Sequence, residues 1–242
     1  MSLKIQTIAS SKDGIKQPKL CEQGYIPAIN TSTILSGRSG SGKSVALANL
    51  ITRKDMLGGA FDEVYLISPT ALGDDIQKSL NIPDENVFTD VMEGIKQMEE
   101  ILKDNMAIIE SVGSKNAPKI CLIYDDCVGD KALLRERFFV KSFICCRHFN
   151  CSTFICTQSF NSVPRVCRLQ ASNVIIFACS LDETKVLCEN YCPARYSKRE
   201  FSDIIHHATK EPYSFLYINM KAKPSERFRK NFDTILNLDR LE

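Results

Sequence analysis

No apolar run in this 242-residue chain is long enough to cross a bilayer, which sets aside a membrane-spanning helix as its working element. The opening Met1-Ser2-Leu3-Lys4-Ile5 lacks the pattern of a signal peptide, so no secretory leader is expected. A charge excess is missing as well. Lys and Arg number 31 against 29 Asp and Glu, and the net +2 compels no nucleic-acid partner, although local basic clusters carry more weight than the sum. No internal repeat or low-complexity tract interrupts the chain, so neither a repeat array nor a disordered spacer is indicated. What is abundant is cysteine. The 11 residues are odd in number, and Cys121, Cys156 and Cys179 fall within apolar strand patterns, which points to reduced, buried thiols in a cytosolic setting rather than a disulfide framework. With 44% apolar and 25% charged residues, the composition is that of a globular protein able to bury a substantial core, as one large domain or two small ones.

The stretch that organises the rest is Gly37-Arg38-Ser39-Gly40-Ser41-Gly42-Lys43-Ser44, which fits G-x-x-x-x-G-K-[ST], the phosphate-binding P-loop. Thr33-Ile34-Leu35 before it reads as a strand, and Val45–Ile51 after it reads as a helix. Strand, glycine-rich turn and helix is the arrangement the motif requires, whereas a flexible Gly/Ser linker has no reason to sit between two such patterns. The glycines let backbone N–H groups approach phosphate oxygens, and the helix beginning near Gly42 aims its N-terminus at them. Lys43 is expected to reach the β- and γ-phosphates, and the Ser44 hydroxyl to ligate Mg²⁺. The predicted nucleotide contacts are therefore residues 37–45: Gly37, Arg38, Ser39, Gly40, Ser41, Gly42, Lys43, Ser44 and Val45.

Along the chain, Lys4–Ile8 reads as a short strand opening an arm or lead-in over 1–29. A P-loop ATPase domain is expected over 30–220, with a basic tail over 221–242. Glu63–Ser68 reads as a buried strand, Asp75–Leu80 as a weak helix and Asn86–Phe88 as a short strand. Val91, Ile95, Met98, Leu102, Met106 and Ile109 recur at three- and four-residue steps, an amphipathic helix ending at Val112-Gly113-Ser114. Lys119–Tyr124 is a strand. A helix follows with Leu134, Phe138, Cys145 and Phe149 on one face. Then come strands at Ser152–Thr157 and Asn173–Ala178, with a short helix at Val163–Leu169 between them. Helices at Leu181–Asn190 and Ser197–Thr209 precede a last strand at Tyr213–Met220. Strands alternate with helices and are nearly continuously apolar, so the expected fold is α/β, a mostly parallel sheet with helices on both faces.

Ile120–Tyr124 ends in Asp125-Asp126, as a Walker B strand does. Asp125 would hold Mg²⁺ directly or through water, and Asp126 would accept a proton from the attacking water or orient it. Most hydrolytic P-loop motors use Glu at the second position, and Asp has a shorter reach. Ser152–Thr157 ends in Gln158, placed to sense the γ-phosphate as in motors that put such a strand between the P-loop and Walker B strands. Arg147, Arg165 and Arg168 flank that strand. Any of them, Arg147 first, could serve a neighbouring subunit as a finger, and Arg38 could act within its own. Lys221, Lys223, Arg227, Arg229 and Lys230 form a basic run that either contacts phosphates or is a solvated tail. Cys188, Cys192, His206 and His207 are the nearest approach to a zinc set, weakened by the adjacent histidines.

Three stretches, GRSGSGKS, LIYDDCVGDK and CRHFNCSTFICTQSF followed by VPRVCR, together resemble the genome-packaging ATPases of poxviruses, other large cytoplasmic DNA viruses and virophages. These belong to the FtsK–HerA superfamily of P-loop motors. The likeness covers about residues 30 to 180, and the small size is most similar to virophage versions. It implies a RecA-like domain assembling into a homo-oligomeric ring, a hexamer favoured over a pentamer. It also implies ATP hydrolysis with Mg²⁺, coupled to moving double-stranded DNA into a capsid. By resemblance, Lys43 and Ser44 contact nucleotide and metal, Asp125 and Asp126 are the Walker B pair, Gln158 is the sensor and Arg147 is the arginine before the sensor strand. The implied partners are DNA and a capsid or portal-equivalent component, in the viral factory of the host cytoplasm or with the virion. The competing readings are a small P-loop phosphotransferase, such as a nucleotide kinase, and an ATP-controlled capsid-assembly protein.

Overall fold

A computed structural model describes residues 16–71 and 76–236. The predicted strand at Lys4–Ile8 lies outside the described residues. In chain order the strands are β1 (Ser32–Ser36), β2 (Glu63–Ile67), β3 (Val87–Phe88), β4 (Ile120–Asp125), β5 (Cys151–Thr157), β6 (Asn173–Ile176), β7 (Leu216–Asn219), β8 (Phe228–Lys230) and β9 (Thr234–Ile235). The helices are α1 (Lys19–Glu22), α2 (Lys43–Thr52), α3 (Ile76–Leu80), α4 (Val91–Val112), α5 (Arg137–Ile144), α6 (Arg165–Gln170), α7 (Leu181–Tyr191) and α8 (Lys198–Thr209).

The strands form one sheet in the order β3-β2-β4-β5-β1-β6-β7-β8-β9. Every pairing from β3 through β6 is parallel, and those from β6 through β9 are antiparallel. Alternation along each strand divides the apolar residues between two cores. On β4, Ile120, Leu122 and Tyr124 join the core covered by α4 to α8, whereas Cys121 and Ile123 join the core covered by α1, α2 and α3. Helices therefore cover both faces, as the nearly unbroken apolar strands required. Among the described residues no helix is long and apolar enough to cross a membrane, and all 11 cysteines are free.

The expected helix over 91–109 is α4. Asp90 caps it, its carboxylate accepting the Met92 and Glu93 N–H groups at 2.9 Å each, and Gly113 ends it at φ +80°. Three expectations change. The single helix over 134–149 is α5 flanked by 3₁₀ turns at Leu133–Arg135 and Cys146–Phe149, so Leu133 is buried in place of Leu134. An extended Glu136 interrupts the first junction, and Asn150, at φ +55°, reverses the chain at the end. Its amide donates to the Ser114, Ala117 and Pro118 carbonyls.

The described part of the arm is docked rather than loose. Cys21, Ile26 and Ile29 are buried in the core beside α2, and Gln17 exchanges hydrogen bonds with the Ile29 backbone. Nor are residues 222–236 a basic tail, because β8 and β9 extend the sheet past β7, and residues 237–242 lie outside the described residues. Phe228 packs its ring against Phe201, buried Arg229 lies 4.4 Å from the centre of the Tyr25 ring, and Lys230 pairs with Glu211 at 2.7 Å. Two of the five basic residues are thus committed to internal contacts.

Candidate nucleotide site

The parallel strands β1, β4 and β5 all point their C-terminal ends to one edge of the sheet, and β5 lies between the other two. An open α/β sheet binds ligands at that edge. The P-loop leaves β1 there. Gly40 and Gly42 take φ +74° and +97°, conformations that cost a side-chain-bearing residue, and α2 begins directly at Lys43. At Gly37 a Cβ would lie 2.7 Å from both Phe177 Cβ and Ser41 Oγ, so the loop can pack here only without a side chain. The Lys43 amine folds back to donate to the Gly37 carbonyl at 2.6 Å and the Arg38 carbonyl at 3.3 Å, which holds its charge at the centre of the loop.

A cavity of about 830 Å³ opens over this loop, lined by residues 39–45 and by Asp125, Asp126 and Gln158. Lys43, Ser44, Asp125, Asp126 and Gln158 are therefore brought together as their motifs required. Gly37 and Arg38 do not line the cavity, and their carbonyls serve Lys43 from behind. Asp125 is buried at the end of β4. Asp126 turns out of the strand at φ +51°, while its N–H still donates to the Cys156 carbonyl at 2.9 Å. The Gln158 amide donates to the Asp126 carboxylate at 2.6 Å, joining the tips of β4 and β5 across the cavity. The buried Cys127 thiol donates to the Ile67 carbonyl at 3.0 Å and fixes the following turn to β2. Burial first, then the nearby Asp125 charge, push its pKa far up, so it stays a neutral donor.

Behind Gln158, Glu183 braces the chain. One carboxylate oxygen accepts the Phe160 N–H at 2.8 Å, and the other accepts the Ser180 N–H at 2.9 Å in the capping box that starts α7. Sequence reading missed Glu183, although Ser180-x-x-Glu183 carries the capping-box signature. It also missed the cavity-lining Asn49, Thr70, Ser79 and Tyr213, which no motif marks.

The arginines separate. Arg147 is exposed in the turn before β5, at the opposite edge of the sheet from Gln158. Seven strand residues stand between them, roughly 20 Å at the usual rise. Arg165 opens α6 and is exposed on the nucleotide edge, and Arg168 lies 5.6 Å over the Phe160 ring. The zinc alternative fails on geometry. Cys188 and Cys192 donate to carbonyls around the start of α8, including Lys198 and Ser197, whereas His206 and His207 occupy its last turn. That separation along α8 is roughly 12 Å. Among the described residues no cluster of three His, Cys, Asp or Glu could hold a metal. Ser44 and Asp125 nevertheless put hard oxygen donors on one cavity wall, which suits Mg²⁺ completed by phosphate oxygens and water rather than by a protein cage.

A parallel P-loop sheet, with an acidic strand end and an amide strand end facing the loop, is the site of a P-loop ATPase. The family model described as "Poxvirus A32 protein" matches residues 28–219, and the chain belongs to that family. No curated protein matches the chain. Among solved structures it is similar to B204, the DNA-packaging ATPase from Sulfolobus turreted icosahedral virus, at 16% identity and TM-score 0.57 over 83% of this chain and 96% of that one. The genome-packaging NTPase B204 of Sulfolobus turreted icosahedral virus 2, in complex with ATP-γS, matches at 16% identity and TM-score 0.54 over 86% and 99%. The pCW3 conjugation coupling protein TcpA matches at 14% identity and TM-score 0.56 over 87% and 62%. At these identities the likeness is one of fold.

Proposed function

We propose that this chain is the motor that uses ATP hydrolysis to move double-stranded DNA into a viral capsid. The observation carrying this reading is the convergence of Lys43, Asp125, Asp126 and Gln158 on one cavity over the P-loop, in a chain of the A32 family. On ATP binding, the Lys43 amine exchanges its loop carbonyls for β- and γ-phosphate oxygens, and the loop N–H groups cradle the same charge. Mg²⁺ held through Ser44 and Asp125 would neutralise charge developing on the transferring phosphoryl group. Asp126 takes the proton of the attacking water, and Gln158, already bonded to Asp126, orients that water.

The placement of Arg147 at the far edge of its own sheet supports a role toward a neighbouring copy, in a ring for which a hexamer is favoured over a pentamer. The remaining proposals are a capsid or portal-equivalent partner and a location in the host cytoplasm, at the viral factory or with the virion. The test is ATP turnover with and without double-stranded DNA. Wild type is expected to accelerate with DNA, and Arg147→Ala mixed with Asp126→Asn is expected to regain activity that neither has alone. Phosphorylation of a nucleoside monophosphate with no response to DNA would establish the kinase alternative. Slow turnover that ignores DNA would favour an assembly factor, and mixtures that stay inactive would remove Arg147 from the site.

A further inference from the structure

Beside the P-loop cavity lies a second recess of about 410 Å³, and Tyr213 lines both. The two also share Gly40 and Ser41. The recess is walled by Phe177 and Ala178, just past β6, and by 209–214, which joins α8 to β7. Asp126 and Gln158 mark the hydrolysis end of the bound nucleotide, on the β4 and β5 side of the loop. Strands β6 and β7 lie on the other side of β1. A triphosphate with its terminal group at Gln158 therefore runs back over Gly40–Gly42 and delivers its nucleoside to the flank where this recess opens.

We propose that Tyr213 is the platform on which the base of the bound nucleotide stacks, and that this recess is the base pocket. The assignment rests on the nucleotide reading above and adds to it a residue that no motif marks. Two costs at Tyr213 find an explanation in it. The residue is 73% exposed although it sits at the mouth of two cavities. Its backbone stands at φ +63°, a region bulky residues avoid. It is the third residue of a turn closed by the Ser214 N–H on the Glu211 carbonyl at 3.1 Å, with Pro212 second. With positive φ at its third residue, such a turn ordinarily carries glycine there.

The turn is braced rather than loose. The Ser214 hydroxyl donates to the Glu211 carbonyl at 2.7 Å, and Lys230 of β8 pairs with the Glu211 carboxylate at 2.7 Å. The ring also abuts the loop itself. A Cβ at Gly42 would lie 3.2 Å from Tyr213 Cδ1, which sets the ring against the residue just before α2. An aromatic face pinned at this spot gives a base a flat, water-shielding partner without reading its edge, so the ligand class is a nucleoside di- or triphosphate.

Calorimetric titration of the full chain tests this, with ADP and inorganic tripolyphosphate as probes. Tyr213→Gly is expected to weaken ADP about tenfold, the scale of one base–aromatic stack, while tripolyphosphate binding stays unchanged. Its thermal midpoint should hold or rise, because glycine suits the positive φ. Tyr213→Phe should keep the ADP affinity. The proposal is overturned if Tyr213→Gly binds ADP as wild type does, or if it loses ADP and tripolyphosphate in parallel, which would make the ring a prop for the loop. Wild type binding neither probe would instead overturn the nucleotide reading itself.

Discussion

At the scale of single residues, the proposed chemistry turns on Asp126. It leaves β4 at φ +51°, a conformation Asp and Asn tolerate better than most residues, and its carboxylate is held by Gln158. Asp126→Asn preserves both the shape and the tolerance of that backbone, so it isolates the charge. We expect an unchanged thermal midpoint, retained ATP binding and turnover lowered at least about a hundredfold, measured by phosphate release. Turnover at the wild-type rate would assign the base elsewhere. The residues of this site were legible because each is tied to a strand end by a short motif: Lys43 and Ser44 to β1, Asp125 and Asp126 to β4, Gln158 to β5. Tyr213 and Glu183 were not, since their roles follow from contacts made at long sequence separation. The position of Arg147 was legible along the chain but not in space. Only the parallel course of β5 reveals that it stands at the opposite edge from its own P-loop.

Among elements, the corner between β5 and α7 is the joint that keeps Gln158 in place. Glu183 accepts from the buried Phe160 N–H and from Ser180, so removing its carboxylate orphans a donor and opens the start of α7 together. Burial alone would raise its pKa, but the hydrogen bonds from Ser180 and Phe160 outweigh it, and the net shift is downward from 4.5. A lowered folded-state value means that the stabilisation is present above the unfolded pKa and is lost as pH falls through the folded one. Glu183→Ala should therefore cost about 2–3 kcal/mol near neutrality in denaturant unfolding, and its deficit relative to wild type should shrink in acid. A deficit independent of pH would contradict the carboxylate's role. Long periodic elements such as α4 were readable from spacing alone. The broken helix around α5 was not, because Glu136 and Asn150 interrupt it where the apolar spacing continues. The β8–β9 hairpin was hidden by charge. Phe228-Arg229-Lys230 looks like tail, but it pairs with β7, buries Phe228 against Phe201, and has its cations received by the Tyr25 ring and Glu211.

For the whole molecule, the sheet order is what gathers the motifs into one site. With β5 between β1 and β4, the amide and the carboxylates face the same loop, and the antiparallel β6–β9 side carries the turn that bears Tyr213. The exposed Arg147 lies on the far edge, so the motor reading joins the two edges through neighbouring copies. That reading is tested most directly by strand displacement from a DNA duplex carrying a bound third strand, followed with ATP and the purified chain. The account predicts ATP-dependent release of the third strand by wild type, none with ADP, and none by Lys43→Ala. Wild type that hydrolyses ATP yet leaves the third strand in place would contradict it.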